Sequence, residues 1–223
     1  MMKIGVKLAI GFVVLLSFTV FLGIIGVKEM KTINQKYAND VMMAIELKEL
    51  ALTIPYNAMN ARRNEKNYFE RKDEKYIQEV DKSLASTDSL TNLILEKTKS
   101  DEVKKEVMNL KSFVNQYSKT FESVYTILSK MQVETKATFY PTIHENDKLN
   151  TMVNGVGGLN ETGRAIVGSA GVLVDIETKI ANERTEKVLK SVHDSEIFFI
   201  ITILILTLIG TIALVFFIRM ITS

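Results

Sequence analysis

Apolar and polar positions divide this chain into three regimes. Residues 8–27 and 197–218 are apolar runs of 20 and 22 residues without a charged side chain, and between them hydrophobic residues recur at spacings of three and four. The clearest stripe is Val103, Val107, Leu110, Val114, Tyr117, Phe121, Val124, Leu128 and Met131, which alternates four and three over four heptads. That is the pattern of a bundle or coiled-coil seam. A looser stripe passes through Ile33, Tyr37, Val41, Ala44, Lys48, Ala51, Pro55, Ala58 and Arg62. A shorter one joins Tyr76, Val80, Leu84, Thr87 and Ile94, and the last joins Met152, Val156, Leu159, Gly163, Ile166, Ala170, Leu173 and Ile180. No stretch alternates with period two, so the chain reads as all-α.

Start and stop signals cut the middle segment into four helices. The first continues out of the first apolar run to about residues 71–73, where Asp73 is positioned to cap the next helix and Glu74 to suit its dipole. Ser100, followed by Asp101 and Glu102, marks the start of the third helix. Pro141 is expected to end that helix near residue 139. The fourth is expected to run from about Glu145 into the second apolar run without interruption. At the helical rise these elements span roughly 66, 38, 58 and 78 Å. The second is too short to return the whole way, so the first and fourth alone would line the part of the segment next to the apolar runs. A parallel homodimer about the long axis would restore a four-helix cross-section there.

Each apolar run matches the roughly 20 residues needed to cross a bilayer. All 26 acidic residues lie between the runs, and outside them stand only Lys3, Lys7 and Arg219. This basic bias orients both chain ends toward the cytoplasm. The expected organisation is a cytoplasmic N-terminus at 1–7, transmembrane helices at 8–27 and 197–218, an extracytoplasmic antiparallel four-helix bundle at 28–196, and the start of a cytoplasmic linker at 219–223. The first run is longer than a signal-peptide core, and no small-x-small cleavage site follows it, so it reads as a retained span. The chain has no cysteine, which removes disulfides, thiolate metal ligands and cysteine lipidation. Residues 28–196 carry 25 basic against 26 acidic side chains and so advertise no nucleic-acid surface.

Candidate chemistry is sparse. The six glycines of the middle segment, Gly155, Gly157, Gly158, Gly163, Gly168 and Gly171, all fall within 17 residues. Each costs a helix about 1 kcal/mol relative to alanine. Three accounts stand open: close packing of a neighbour such as Tyr56 against Gly163 and Ala170, a cavity for a small ligand, or local unwinding. Arginine is scarce there, with Arg62, Arg63, Arg71, Arg164 and Arg184 against twenty lysines. A guanidinium holds a carboxylate bidentately and tolerates partial burial. Arg62 and Arg63 in the first helix and Arg164 in the last are therefore candidate walls of an organic-acid site. The competing account pairs Arg62 or Arg63 with Glu161 or Glu65. His144 and His193 are isolated, with no second ligand at i+4, so no metal site is expected. The acidic pairs Asp73-Glu74 and Asp101-Glu102 read as helix-start carboxylates, and no catalytic residues, cofactor or enzymatic activity are expected.

The block Arg62-Arg63-Asn64-Glu65-Lys66-Asn67-Tyr68-Phe69, followed by Asp73-Glu74-Lys75-Tyr76, resembles the end of the first helix in four-helix-bundle and helical bimodular sensor domains. With the basic N-terminus, the two spans and the tail Phe216-Phe217-Ile218-Arg219-Met220-Ile221-Thr222-Ser223, the layout is similar to the sensory front end of a bacterial methyl-accepting chemotaxis protein. The middle segment is shorter than bimodular sensors, which favours the simple bundle. The resemblance implies a receptor of the bacterial cytoplasmic membrane. It would bind a small solute outside the cell and signal through the second span to a HAMP linker and cytoplasmic partners beyond Ser223. The same ectodomain could front a sensor histidine kinase or a cyclase, dock a binding protein, or serve as a structural tethered bundle.

Overall fold

The computed structural model describes residues 4–131 and 136–222, and among these all regular structure is helical. The elements are α1 (Ile4–Lys36), a π-helical turn (Tyr37–Met42), α2 (Met43–Arg71), α3 (Lys75–Lys97), α4 (Asp101–Lys130), α5 (Lys136–Glu145), α6 (Asp147–Asn154) and α7 (Leu159–Thr222). They form two compact units, one of residues Met43–Asn182 and one of Met1–Met42 with Glu183–Ser223.

The first unit is a helical core. Every position of the α4 stripe from Val103 to Leu128 is buried, as four-three spacing demands, while Met131 lies past the helix end and is exposed. Along α2 the expected stripe is displaced at alternate positions. Ala44, Ala51 and Ala58 are buried as expected, but the partners between them are Leu47, Ile54 and Ala61. Lys48, Pro55 and Arg62 sit half-buried one position further round. Pro55 lies inside α2 without ending it, although it removes one backbone donor. Between α2 and α3, Lys97 pairs with Glu46 at 2.5 Å and Asn57 bonds Ser86 at 2.9 Å, so the order is reversed and the two helices are antiparallel. The Ser100 cap is present as expected, the Val103 amide donating to Ser100 Oγ at 3.3 Å; at the start of α3 the cap residue is Glu74, which makes no side-chain cap bond, while Asp73 Oδ1 just before it accepts from the Lys75 amide at 3.0 Å. At the α2–α3 turn Tyr68, Phe69, Phe121 and Tyr125 cluster with ring centroids 5.9–6.4 Å apart.

Two expected boundaries are overturned. The helix that begins at Asp101 ends at Lys130, not near 139, and Pro141 lies inside the separate helix α5. The last helix is not continuous from Glu145. It breaks after Asn154, and α7 begins at Leu159. Gly157 explains the break, since its φ of +73° is a conformation that side-chain-bearing residues rarely adopt. Val156, expected on the buried stripe, stands at the tip of this turn with 96 % of its surface exposed. The turn is anchored by Gln116 of α4, whose Nε2 donates to the Gly157 carbonyl at 3.0 Å, and by Glu161, which accepts from the Gly157 amide at 2.7 Å.

The second unit contains both apolar runs. Each belongs to a helix long and apolar enough to cross a membrane, and no part of either apolar window is buried. A β-carbon added at Gly26 would meet the Phe199 ring at 3.5 Å, so the two helices approach closely there. Further along they part around an apolar cleft of about 670 Å³, lined by residues that include Phe18, Leu22, Leu206 and Leu214.

Candidate functional site

Gly163 of α7 lets α2 come near, and the side chain that fills the gap is Arg62, not Tyr56, which is 65 % exposed. A β-carbon at Gly163 would stand 2.1 Å from Arg62 Nη1. The guanidinium therefore lies directly on the α7 backbone. Its Nη1 donates to the carbonyl of Asn160 at 3.1 Å, and Arg164 Nε donates to the same carbonyl at 3.1 Å. Two guanidinia from two helices thus converge on one main-chain oxygen. Gly168 and Gly171 differ, since a β-carbon at either would have nothing within 4 Å, so close packing does not explain those two.

Around this point is a cleft of about 490 Å³ lined by Met59, Arg62, Arg63, Lys66, Gly163, Arg164 and Val167. All three arginines expected from the sequence are in it. Four cations line it and no carboxylate does. Among the described residues no carboxylate forms an ion pair with Arg62, Arg63 or Arg164; Glu161, one proposed partner, accepts instead from the Gly157 amide. Lys66 was missed in the sequence, although its spacing of three and four from Arg63 and Arg62 puts it on their face of α2. Met59 and Val167 were also missed; they give the cleft apolar walls suited to a carbon skeleton.

Behind the cleft, one turn from Arg62, lies the other proposed partner. Glu65 is 3 % exposed and accepts a short hydrogen bond from Tyr117 Oη. Burial pushes its carboxyl above the usual range, against the opposing pull of the Tyr117 bond and of the Arg62 and Lys66 charges. The Tyr117 hydroxyl is in turn pushed well up by burial and by the Glu65 charge. The burial of Glu65 was missed because the stripe read from the sequence passed through Arg62; on the observed stripe of Ala58, Ala61, Glu65 and Tyr68 it occupies a position that calls for an apolar side chain. Among the described residues no three metal-ligating side chains cluster.

Chemically, the arrangement presents convergent charged donors over a partly apolar floor, which suits a small anion with a carbon skeleton. The class that fold and cleft define is an all-α protein with a helical domain between two helices long and apolar enough to span a membrane. No family model, curated protein or solved structure matches the chain.

Proposed function

We propose that this chain is the sensory part of a bacterial transmembrane chemoreceptor, a non-enzymatic protein whose extracytoplasmic four-helix bundle binds a small organic acid through Arg62, Arg63 and Arg164, with Lys66 assisting. The observation that carries the reading is the cleft lined by four cations and no carboxylate, one wall of which is α7, the helix that contains the second apolar run. A ligand transmits only if it binds two arrangements of the receptor with different affinity. Here the binding groups already hold α7, because Arg62 and Arg164 both bond the Asn160 carbonyl. A ligand carboxylate that takes those donors loosens the first turn of α7, next to the helix break at Gly157. The apolar side chains of Leu52, Tyr56 and Met59, exposed along one face of α2, support the homodimer.

The test is a thermal-shift titration of the full chain in detergent micelles with mono-, di- and tricarboxylates, and sulfate as control. A saturable rise for a carboxylate, lost in Arg62→Ala and Arg164→Ala, is the expected result. Equal rises in wild type and both variants, or none with any acid, would refute the site. The homodimer predicts disulfide-linked dimers from Tyr56→Cys, a clean probe in a chain without cysteine.

A further inference from the structure

The turn at Tyr37–Met42 is π-helical, an arrangement rare in proteins and concentrated at functional positions. Its cause can be read from the faces it joins. On α1 the less exposed positions are Ile25, Gly26, Glu29 and Ile33, whereas beyond them the fully sheltered residue is Val41, 1 % exposed. Eight α-helical steps of about 100° would leave Val41 about 80° out of line with Ile33. A π-turn bonds i to i+5 and so takes up an extra residue, which returns Val41 toward that face. The same turn presents the Asp40 carbonyl to α7, where Arg184 Nη1 donates to it at 3.2 Å. Four residues further along α7, Val188 is buried.

We propose that Arg184 and the π-turn form a register lock between the two helices that lead into the apolar runs. With the Asp40 carbonyl held by Arg184, the turn keeps its surplus residue. With that bond lost, the turn relaxes to α geometry and the α1 side chains before it swing by one residue, about 100°. Such a two-state step suits signalling by small displacements, since packed elements switch between discrete arrangements. Arg184 is thus a positioning residue, and its purpose rests on the receptor reading while its test does not.

The experiment uses the full chain in nanodiscs, without ligand, labelled with spin probes at Lys31→Cys and Lys190→Cys, both exposed. Arg184→Ala is expected to move the mean inter-label distance by an amount comparable to a helix radius, about 5 Å. Deleting Asn39, which removes the surplus residue, is expected to leave the distance near that of the wild type, because seven α-helical steps keep Val41 in line with Ile33. Arg184→Ala in the deletion background should then add nothing, since no surplus residue is left to redistribute. An unchanged distance in Arg184→Ala, or an equal shift from it in the deletion background, overturns the lock. If the deletion loses helical signal by circular dichroism, Arg184→Ala alone decides. Failure of the acid titration would leave these distances unaffected, so the two ideas fail separately.

Discussion

Gly163→Ala tests the seat of Arg62 most directly, provided it is read against Gly168→Ala. Both replacements gain about 1 kcal/mol of helix propensity in α7. At Gly168 nothing lies within 4 Å of the new β-carbon, so the gain appears in full. At Gly163 the new atom would be 2.1 Å from Arg62 Nη1 and 3.0 Å from its Cδ and Cζ, so the guanidinium must leave. It is the far end of a flexible side chain and can move without backbone shifts, but it gives up its bond to the Asn160 carbonyl. A part-buried bond from a charged donor contributes about 1–2 kcal/mol. Gly163→Ala should therefore be neutral to about 1 kcal/mol destabilised, leaving a gap of about 1–2 kcal/mol between the variants. For a domain of this size that gap is about 2–8 °C in melting temperature. The assay is thermal unfolding followed by circular dichroism at the helical band. If Gly163→Ala stabilises as much as Gly168→Ala, Arg62 does not occupy the gap. If it destabilises by several kcal/mol, the neighbour is rigid and the account of a displaceable side chain fails.

Lys72, in the left-handed conformation at φ 56° beside the Tyr68 ring, has its ammonium pushed down to about 8 by burial. Because the unfolded lysine binds its proton more tightly, the penalty is fully present below pH 8 and relieved between about pH 8 and 10.5; Lys72→Met should flatten that rise in denaturant titrations and stabilise at pH 7. Burial raises Glu65, so its ionisation opposes folding as pH climbs above the unfolded value of 4.5; Glu65→Gln, which still accepts from Tyr117, should remove that slope, and an unchanged pH profile would speak against the buried carboxylate. Ser100→Ala removes the side-chain acceptor of the Val103 amide and should cost about 1 kcal/mol in urea unfolding. Gly157→Ala imposes a side chain on a φ of +73° and should cost about 1–2 kcal/mol, whereas an unstrained turn would tolerate it.

Legibility followed the strength of each local signal. The α4 stripe was readable because nine apolar positions obey one spacing and Ser100 supplies an unmistakable cap. The α2 stripe was harder, because alanines mark the seam and both Ile54 and Pro55, or Ala61 and Arg62, satisfy a loose helical period. Tertiary packing chose the larger apolar residue of each neighbouring pair wherever one existed. Pro141 misled for a different reason: it is the sixth residue of a ten-residue helix of its own, which forms in spite of the one backbone donor it lacks. The glycine cluster was visible, but three physical causes share that signature. The structure divides the cluster among them, with Gly157 needing its dihedral, Gly163 admitting Arg62, and Gly168 and Gly171 doing neither.

The cleft shows why scarce arginines were an informative clue and why their pairing could not be deduced. An ion pair with Glu65 or Glu161 is what spacing alone suggests, yet each acid is engaged elsewhere, one by the Tyr117 hydroxyl and the other by the Gly157 amide. Neither acid forms an ion pair with the guanidinia, although the Arg62 charge still acts on Glu65. The Asn160 carbonyl that remains as acceptor is neutral, so it holds Arg62 and Arg164 without cancelling their charge. An incoming carboxylate competes with it from a stronger position, because it adds ionic attraction and a bidentate geometry that a neutral carbonyl does not offer the same guanidinium. On the receptor proposal, the contact that holds α7 is weaker than the one a ligand carboxylate would offer, and that difference would let binding do mechanical work on the helix.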